Sequence, residues 1–140
     1  MTIAATNFWL AKTEPDEYAY ADLARDGHGV WDGVRNNTAL IHLRRFAVGD
    51  QVLIYHTGRE RAVVGLARVT RAAYPDPAAG DPRYVVADLA PVRPLSRPVT
   101  LAAIKADPAM ADFDLVRLPR LSVMPVPAEV WDRVLAMGGE

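Results

Sequence analysis

Trp31 and Arg35 stand on either side of Gly33, and two carboxamides follow, in the run Val30-Trp31-Asp32-Gly33-Val34-Arg35-Asn36-Asn37-Thr38. An indole offers a flat face on which a planar ring can stack. A carboxamide both donates and accepts hydrogen bonds, which suits the polar edge of a heterocycle. Glycine lets the backbone turn or approach a ligand closely. These groups together would do recognition chemistry: stacking, hydrogen bonding and rejection of the wrong shape. The same residues would equally make an aromatic plug at one end of the core, beside an Asn that caps a helix. The run by itself leaves both readings open.

Groups for covalent chemistry are sparse. His28, His42 and His56 have no ligand partner at helical spacing, and there is no cysteine to complete a metal site. Ser96 and Ser122 lack a G-x-S-x-G setting, and no G-x-x-x-x-G-K-[ST] phosphate loop occurs. Glu14, Asp16, Glu17 and Asp32 can in principle pair as acid and base. Asp16 and Glu17, however, suit a helix start, where negative charge is favoured. No catalytic group, metal or cofactor is expected. Two alternatives stay open: a small hydrolase or nuclease using Glu14, Asp32 and His56, and a domain that binds a protein or a metabolite.

The whole chain limits what can hold such groups. Its 140 residues suffice for one domain, residues 1–140, with a substantial core, and 51% hydrophobic with 24% charged residues fits a globular fold. The absence of cysteine is compatible with the cytosol, and a cytoplasmic monomer is expected. Met1–Thr6 lacks a basic start followed by an apolar run, so no secretory leader is read there, and no apolar run is long enough to span a membrane. Net charge is −1, but it is unevenly spread: residues 1–34 carry two basic and six acidic side chains, and residues 35–71 carry seven arginines against Asp50 and Glu60. Such asymmetry can make a positive face on a nearly neutral protein.

The elements that must position these groups follow from periodicity and turn residues. Phe8–Lys12 reads as an interior strand, stopped by Pro15. Tyr18–Arg25 reads as a helix ended by Gly27, with the Trp31 loop next. A second helix runs from Asn36 or Asn37 to about Arg45. Gln51–His56 and Ala62–Thr70 form a strand pair joined by Thr57–Arg61, with Gly65 permitting a bulge or close packing. Tyr84–Val92 is another strand, broken by Pro94–Pro98. Thr100 caps a short helix over Leu101–Ala106. Met110–Pro119 carries no clear pattern. Leu121–Val126 is the last strand, and Pro127 opens a C-terminal helix that Gly138-Gly139 ends. The pattern predicts an α+β fold: a small, mostly antiparallel β-barrel of about five strands with flanking helices.

Several blocks of the chain are similar to a known family. Trp9-Leu10-Ala11-Lys12-Thr13-Glu14-Pro15-Asp16-Glu17-Tyr18 resembles its W-L-x-K-[ST]-E-P-x-x-Y opening, and Trp31–Asn36 its W-[DE]-G-V-R-N block. Val48-Gly49-Asp50 with Tyr55-His56-Thr57 resembles V-G-D…Y-H-[ST]. Val64–Ala67, Tyr74–Asp76, Arg97–Leu101 and Arg120–Val123 follow in the same order. Ala19 departs from the family's usual serine. The family is the EVE domain, of the PUA-like group, related to the YTH readers of N6-methyladenine, and the resemblance runs from Asn7 to Val134. It implies a PUA-like barrel and a rim pocket for a modified nucleobase of DNA or RNA, without chemistry on the base. Carried onto this chain, the implied pocket residues are Lys12, Thr13, Trp31, Arg35, Asn36, Tyr55, His56 and Thr57. Candidates for phosphate contact are Arg44, Arg45, Arg59, Arg61 and Arg120.

Overall fold

Trp9, Leu10 and Ala11 are apolar in succession, and the strand they form, β1 (Phe8–Thr13), is an interior strand buried on both faces there. The computed structural model describes residues 7–140, so Met1–Thr6, read above as lacking a leader, lies outside the described residues. After β1 come α1 (Pro15–Tyr18), α2 (Tyr20–Asp26), β2 (Gly29–Trp31) and α3 (Asn37–Leu43). This crossover carries the chain back so that β3 (Gln51–His56) lies parallel to β1, with Leu10 opposite Leu53 and Thr13 opposite His56. A hairpin leads to β4 (Ala62–Pro75), which pairs antiparallel with β3 and with β5 (Val85–Thr100). Then follow α4 (Leu101–Lys105), a 3-10 turn (Pro108–Met110), α5 (Asp114–Arg117), β6 (Val123–Pro125) and α6 (Ala128–Met137).

The mixed α+β character is as expected, but the sheet has six strands in the order β2-β5-β4-β3-β1-β6 and does not close into a barrel. Its edge strands, β2 and β6, are three residues each and pair only with β5 and β1 respectively. The register between β4 and β5 shifts at four places, which coils these long strands without joining the edges. Trp31, expected in a loop, ends strand β2 opposite Ala87. The helix expected over Tyr18–Arg25 is split at Ala19, which sits in the extended region between α1 and α2. The break expected at Pro94–Pro98 is absent, because β5 runs on to Thr100. β2 pairs with β5 only from Ala87 to Leu89, so the prolines beyond lie on a free edge, where no N–H is needed.

Two contacts fix the core around β1 and β3. Asp50, in the turn before β3, is 3% exposed, and its carboxylate accepts from Trp9 Nε1 and the Ala47 N–H at 2.9 Å and from the Asn7 N–H at 3.2 Å. The Val-Gly-Asp block is therefore a structural clamp. A Cβ on Gly65 would lie 2.5 Å from the Tyr20 ring, so the glycine lets α2 lie close against β4, and Tyr20 donates to the Leu66 carbonyl at 2.6 Å. Among the described residues, no helix is long and apolar enough to cross a membrane.

Candidate functional site

The chain leaves β1 at Lys12-Thr13-Glu14, and β2 returns close beside it. Between them opens a cavity of about 680 Å³, within the range that holds a nucleoside-sized ligand. Of the residues named from the family resemblance, Lys12, Thr13 and Trp31 line it. Trp31 is 6% exposed and belongs to the apolar core, and it also lines the cavity. Its N–H has no hydrogen-bond partner among the described residues, in contrast to Trp9, whose N–H is held by Asp50.

The rest of the wall comes from residues whose approach depends on the tertiary fold: Glu17 and Tyr18 on α1, Asp26 at the end of α2, His28, and Ser122 before β6. Sequence reasoning did not place these in the site, although Tyr18 stood at the end of the opening motif. Gly29 lets Tyr18 come in, since a Cβ there would sit 3.0 Å from the Tyr18 hydroxyl. That hydroxyl donates to Asp26 at 3.2 Å, and burial, helped by Asp26, pushes the Tyr18 phenol above its usual range. Thr13 donates to the Tyr18 carbonyl at 2.6 Å, which ties β1 to α1 and leaves the hydroxyl oxygen able to accept. Lys12 donates to the Pro119 carbonyl at 3.0 Å, and burial holds its ammonium below the ordinary lysine range. Glu14, Glu17, Asp26 and Asp32 outnumber Lys12 and His28 around the cavity. Such a wall accepts hydrogen bonds from ring or exocyclic N–H groups and repels a phosphate.

The other implied pocket residues lie elsewhere. Asn36 caps α3, its Oδ1 accepting from the Ala39 N–H at 3.0 Å, and it lines a neighbouring depression with Arg117 and Arg120. Arg35 lies over the Tyr84 ring, 4.4 Å from its centroid. Tyr55 and Thr57 lie on the other side of Lys12, in a separate recess with Arg61. His56 is buried: its Nε2 accepts from the Tyr20 N–H at 3.0 Å, so Nδ1 carries the proton toward Glu60 at 2.6 Å. Both ring nitrogens are engaged away from the cavity, and Glu14, Asp32 and His56 are not gathered around it as an acid–base trio. The arginines are dispersed as well. Arg44 donates to the Arg83 carbonyl at 2.6 Å, Arg45 sits 6.0 Å from the Trp9 ring centroid, and Arg59 is exposed in the hairpin before β4.

An open mixed sheet with a nucleoside-sized, acid-rich recess at the end of its interior strand β1 defines an α+β module built around a pocket. The chain belongs to the EVE domain family, whose model matches residues 7–137. It is similar to thymocyte nuclear protein 1 of Mus musculus, at 27% identity over 94% of this chain and 74% of that protein. The NMR structure of Rpa0253 from Rhodopseudomonas palustris superposes with a TM-score of 0.90 at 40% identity, covering 96% of this chain and 94% of the other. The human THYN1 protein, solved in complex with DNA containing 5-methylcytosine, gives a TM-score of 0.88 at 27% identity over 96% and 99% of the two chains.

Proposed function

We propose that this domain is a non-catalytic module that binds DNA carrying a modified base and takes that base, out of its stack, into the cavity between β1 and β2. The observation that carries this reading is Trp31, which lines a cavity of nucleoside size and whose indole N–H has no partner among the described residues. Stacking on it would be worth on the order of 1–3 kcal/mol per base. In this reading Thr13 and the carboxylates of Glu17 and Asp26, which line the cavity, receive the donors on a base edge, such as the amino group of a cytosine. The human relative bound to 5-methylcytosine DNA supports the polymer and the kind of base. Burying one methyl against the indole adds only about 0.8 kcal/mol, roughly fourfold. Discrimination beyond that must come from shape, or from a hydrogen bond that the wrong base leaves unmade.

The test is a binding panel of plain, 5-methylcytosine and N6-methyladenine oligonucleotides against the wild type and Trp31→Phe. Phenylalanine keeps most of the buried ring, whereas alanine would remove a core side chain at a cost of about 3–5 kcal/mol. We expect the wild type to prefer a methylated probe and Trp31→Phe to weaken that probe about tenfold while keeping the fold. Equal affinity of the wild type for plain and methylated probes would sink the reading, as would an unaffected variant.

A further inference from the structure

On the far side of Lys12 the charge balance inverts. Lys12, Arg61 and Lys105 converge with Tyr55 and Thr57 on a second recess of about 290 Å³, and no Asp or Glu lines it. The ion pairs among the described residues all lie elsewhere, and none of the three cations takes part in one. Like charges held together without a counter-ion repel one another, and an anion between them relieves that repulsion. Glu14 lines the acid-rich cavity, and its carboxylate also reaches the rim of this recess, where it accepts from the Thr57 hydroxyl at 3.0 Å and lies beside Gly58, without pairing with any of the three cations.

Two further features show that the recess is built. Tyr55 is 3% exposed as a residue and lines the recess, and its hydroxyl has no protein partner among the described residues and is not among the buried unpaired groups, so it meets solvent. A phenol whose ring is held in the core while its hydroxyl stays open can give or take a hydrogen bond from a ligand at that spot. Lys12 lies 5.6 Å from the centroid of the same ring and gives one hydrogen bond to Pro119, which leaves its other N–H donors free. Arg61 is the one non-glycine residue with positive φ among the described residues, at 44°. That conformation is costly for a side-chain-bearing residue and persists only where its surroundings hold it. Here the Arg61 carbonyl accepts from the Leu101 N–H at 2.8 Å, which pins the hairpin to the start of α4 and brings Arg61 to the same recess as Lys105.

We infer that this recess is a phosphate site, in which Lys12, Arg61, Lys105 and the Tyr55 hydroxyl receive the phosphodiester next to the base held in the acid-rich cavity. Lys12 is the shared wall. Base and phosphate of one nucleotide are then received by adjoining recesses of opposite charge, and the strand is oriented by that contrast. The identity of the phosphate's owner rests on the base-binding reading above, whereas an affinity for phosphate does not.

The test compares the full chain with Arg61→Gln/Lys105→Gln, two exposed positions, with circular dichroism melting as the check on folding. The probes are a 5-methylcytosine oligonucleotide, the same oligonucleotide unmethylated, free 5-methyldeoxycytidine and inorganic phosphate. The double variant should lose about tenfold or more in oligonucleotide affinity. Its plot of log affinity against log salt should be shallower by about one phosphate's worth, a slope change near 0.9. Binding of the free nucleoside should not change, and millimolar phosphate should shift the wild-type NMR signals of Arg61 and Lys105. Unchanged oligonucleotide affinity and slope would overturn the inference. If phosphate alone still shifts those signals in that case, the recess takes a free anion and not a phosphodiester. Loss of the nucleoside along with the oligonucleotide would also overturn it, because the damage would then reach the cavity. A wild type indifferent to methylation whose oligonucleotide binding still falls in the double variant would defeat the base reading and uphold the phosphate site.

Discussion

Asp50 shows how much one carboxylate can hold. It is 3% exposed and accepts three N–H groups, from Trp9, Ala47 and Asn7. Removing it leaves those donors unpaired in or near the core, where each costs about 1–3 kcal/mol. Asp50→Ala should therefore destabilise the protein by on the order of 3 kcal/mol or more, read as a lower urea midpoint at an unchanged slope. A loss below about 1 kcal/mol would mean that water replaces the clamp. His42 is a different case. Its Nδ1 is buried without a partner, and burial holds the imidazole below the usual histidine value of about 6.5, with Arg45 pushing the same way and Asp114 against it. The unfolded chain takes up this proton as pH falls through about 6.5, and the folded chain does so only at lower pH. His42 thus removes stability below about pH 6.5, until the folded histidine is itself protonated. His42→Leu should flatten the stability curve between about pH 6.5 and 5 relative to wild type. His28 and His56 are present in both proteins and cancel in the difference, and parallel curves would refute the assignment.

At the scale of elements, the junction between α1 and α2 is under-built. Ala19 is the N-cap of α2 and has no side-chain oxygen, so only half of the usual reciprocal arrangement is made: Asp22 accepts from the Ala19 N–H at 2.8 Å. Ala19→Ser restores the family's residue and the missing acceptor, and should add about 0.5–1 kcal/mol by chemical denaturation. No gain, or a loss, would show that the serine oxygen does not reach the helix. Local pattern also explains what the sequence made legible. β1, β3 and the first part of β4 are apolar runs bounded by turns, and they form as expected. β5 did not read through because Pro94 and Pro98 look like terminators. What makes them tolerable is that β2 pairs with β5 no further than Leu89, which leaves one side of β5 free while β4 holds the other, a fact of tertiary pairing. β2 is Gly-Val-Trp, too short to carry a period, and it exists because β5 lies beside it. In the site, Lys12, Thr13 and Trp31 were legible from motif residues that converge in space. Asp26, His28 and Ser122 were not, because only folding brings them to the cavity.

At the scale of the whole molecule, a nearly neutral protein has sorted its charge around one lysine, with acids on the cavity side and cations on the other. The parallel pairing of β1 with β3 makes this possible, since it brings the ends of both strands, Thr13 and His56, to the same edge of the sheet. The cavity's opposite wall has much weaker footing. β2 is anchored over three residues and borders the sheet on one side only, while its central Val30 is 48% exposed. Short border segments of this kind detach at far lower free energy than the interior does. Amide hydrogens of Gly29–Trp31 should therefore trade with deuterium orders of magnitude sooner than those of Leu10 or Leu53, and a saturating guest should slow them by roughly its own occupancy factor, about a hundredfold at a hundred times its Kd. The doorway and the seat would then be one and the same piece of chain, unlatched when vacant and fastened by its occupant.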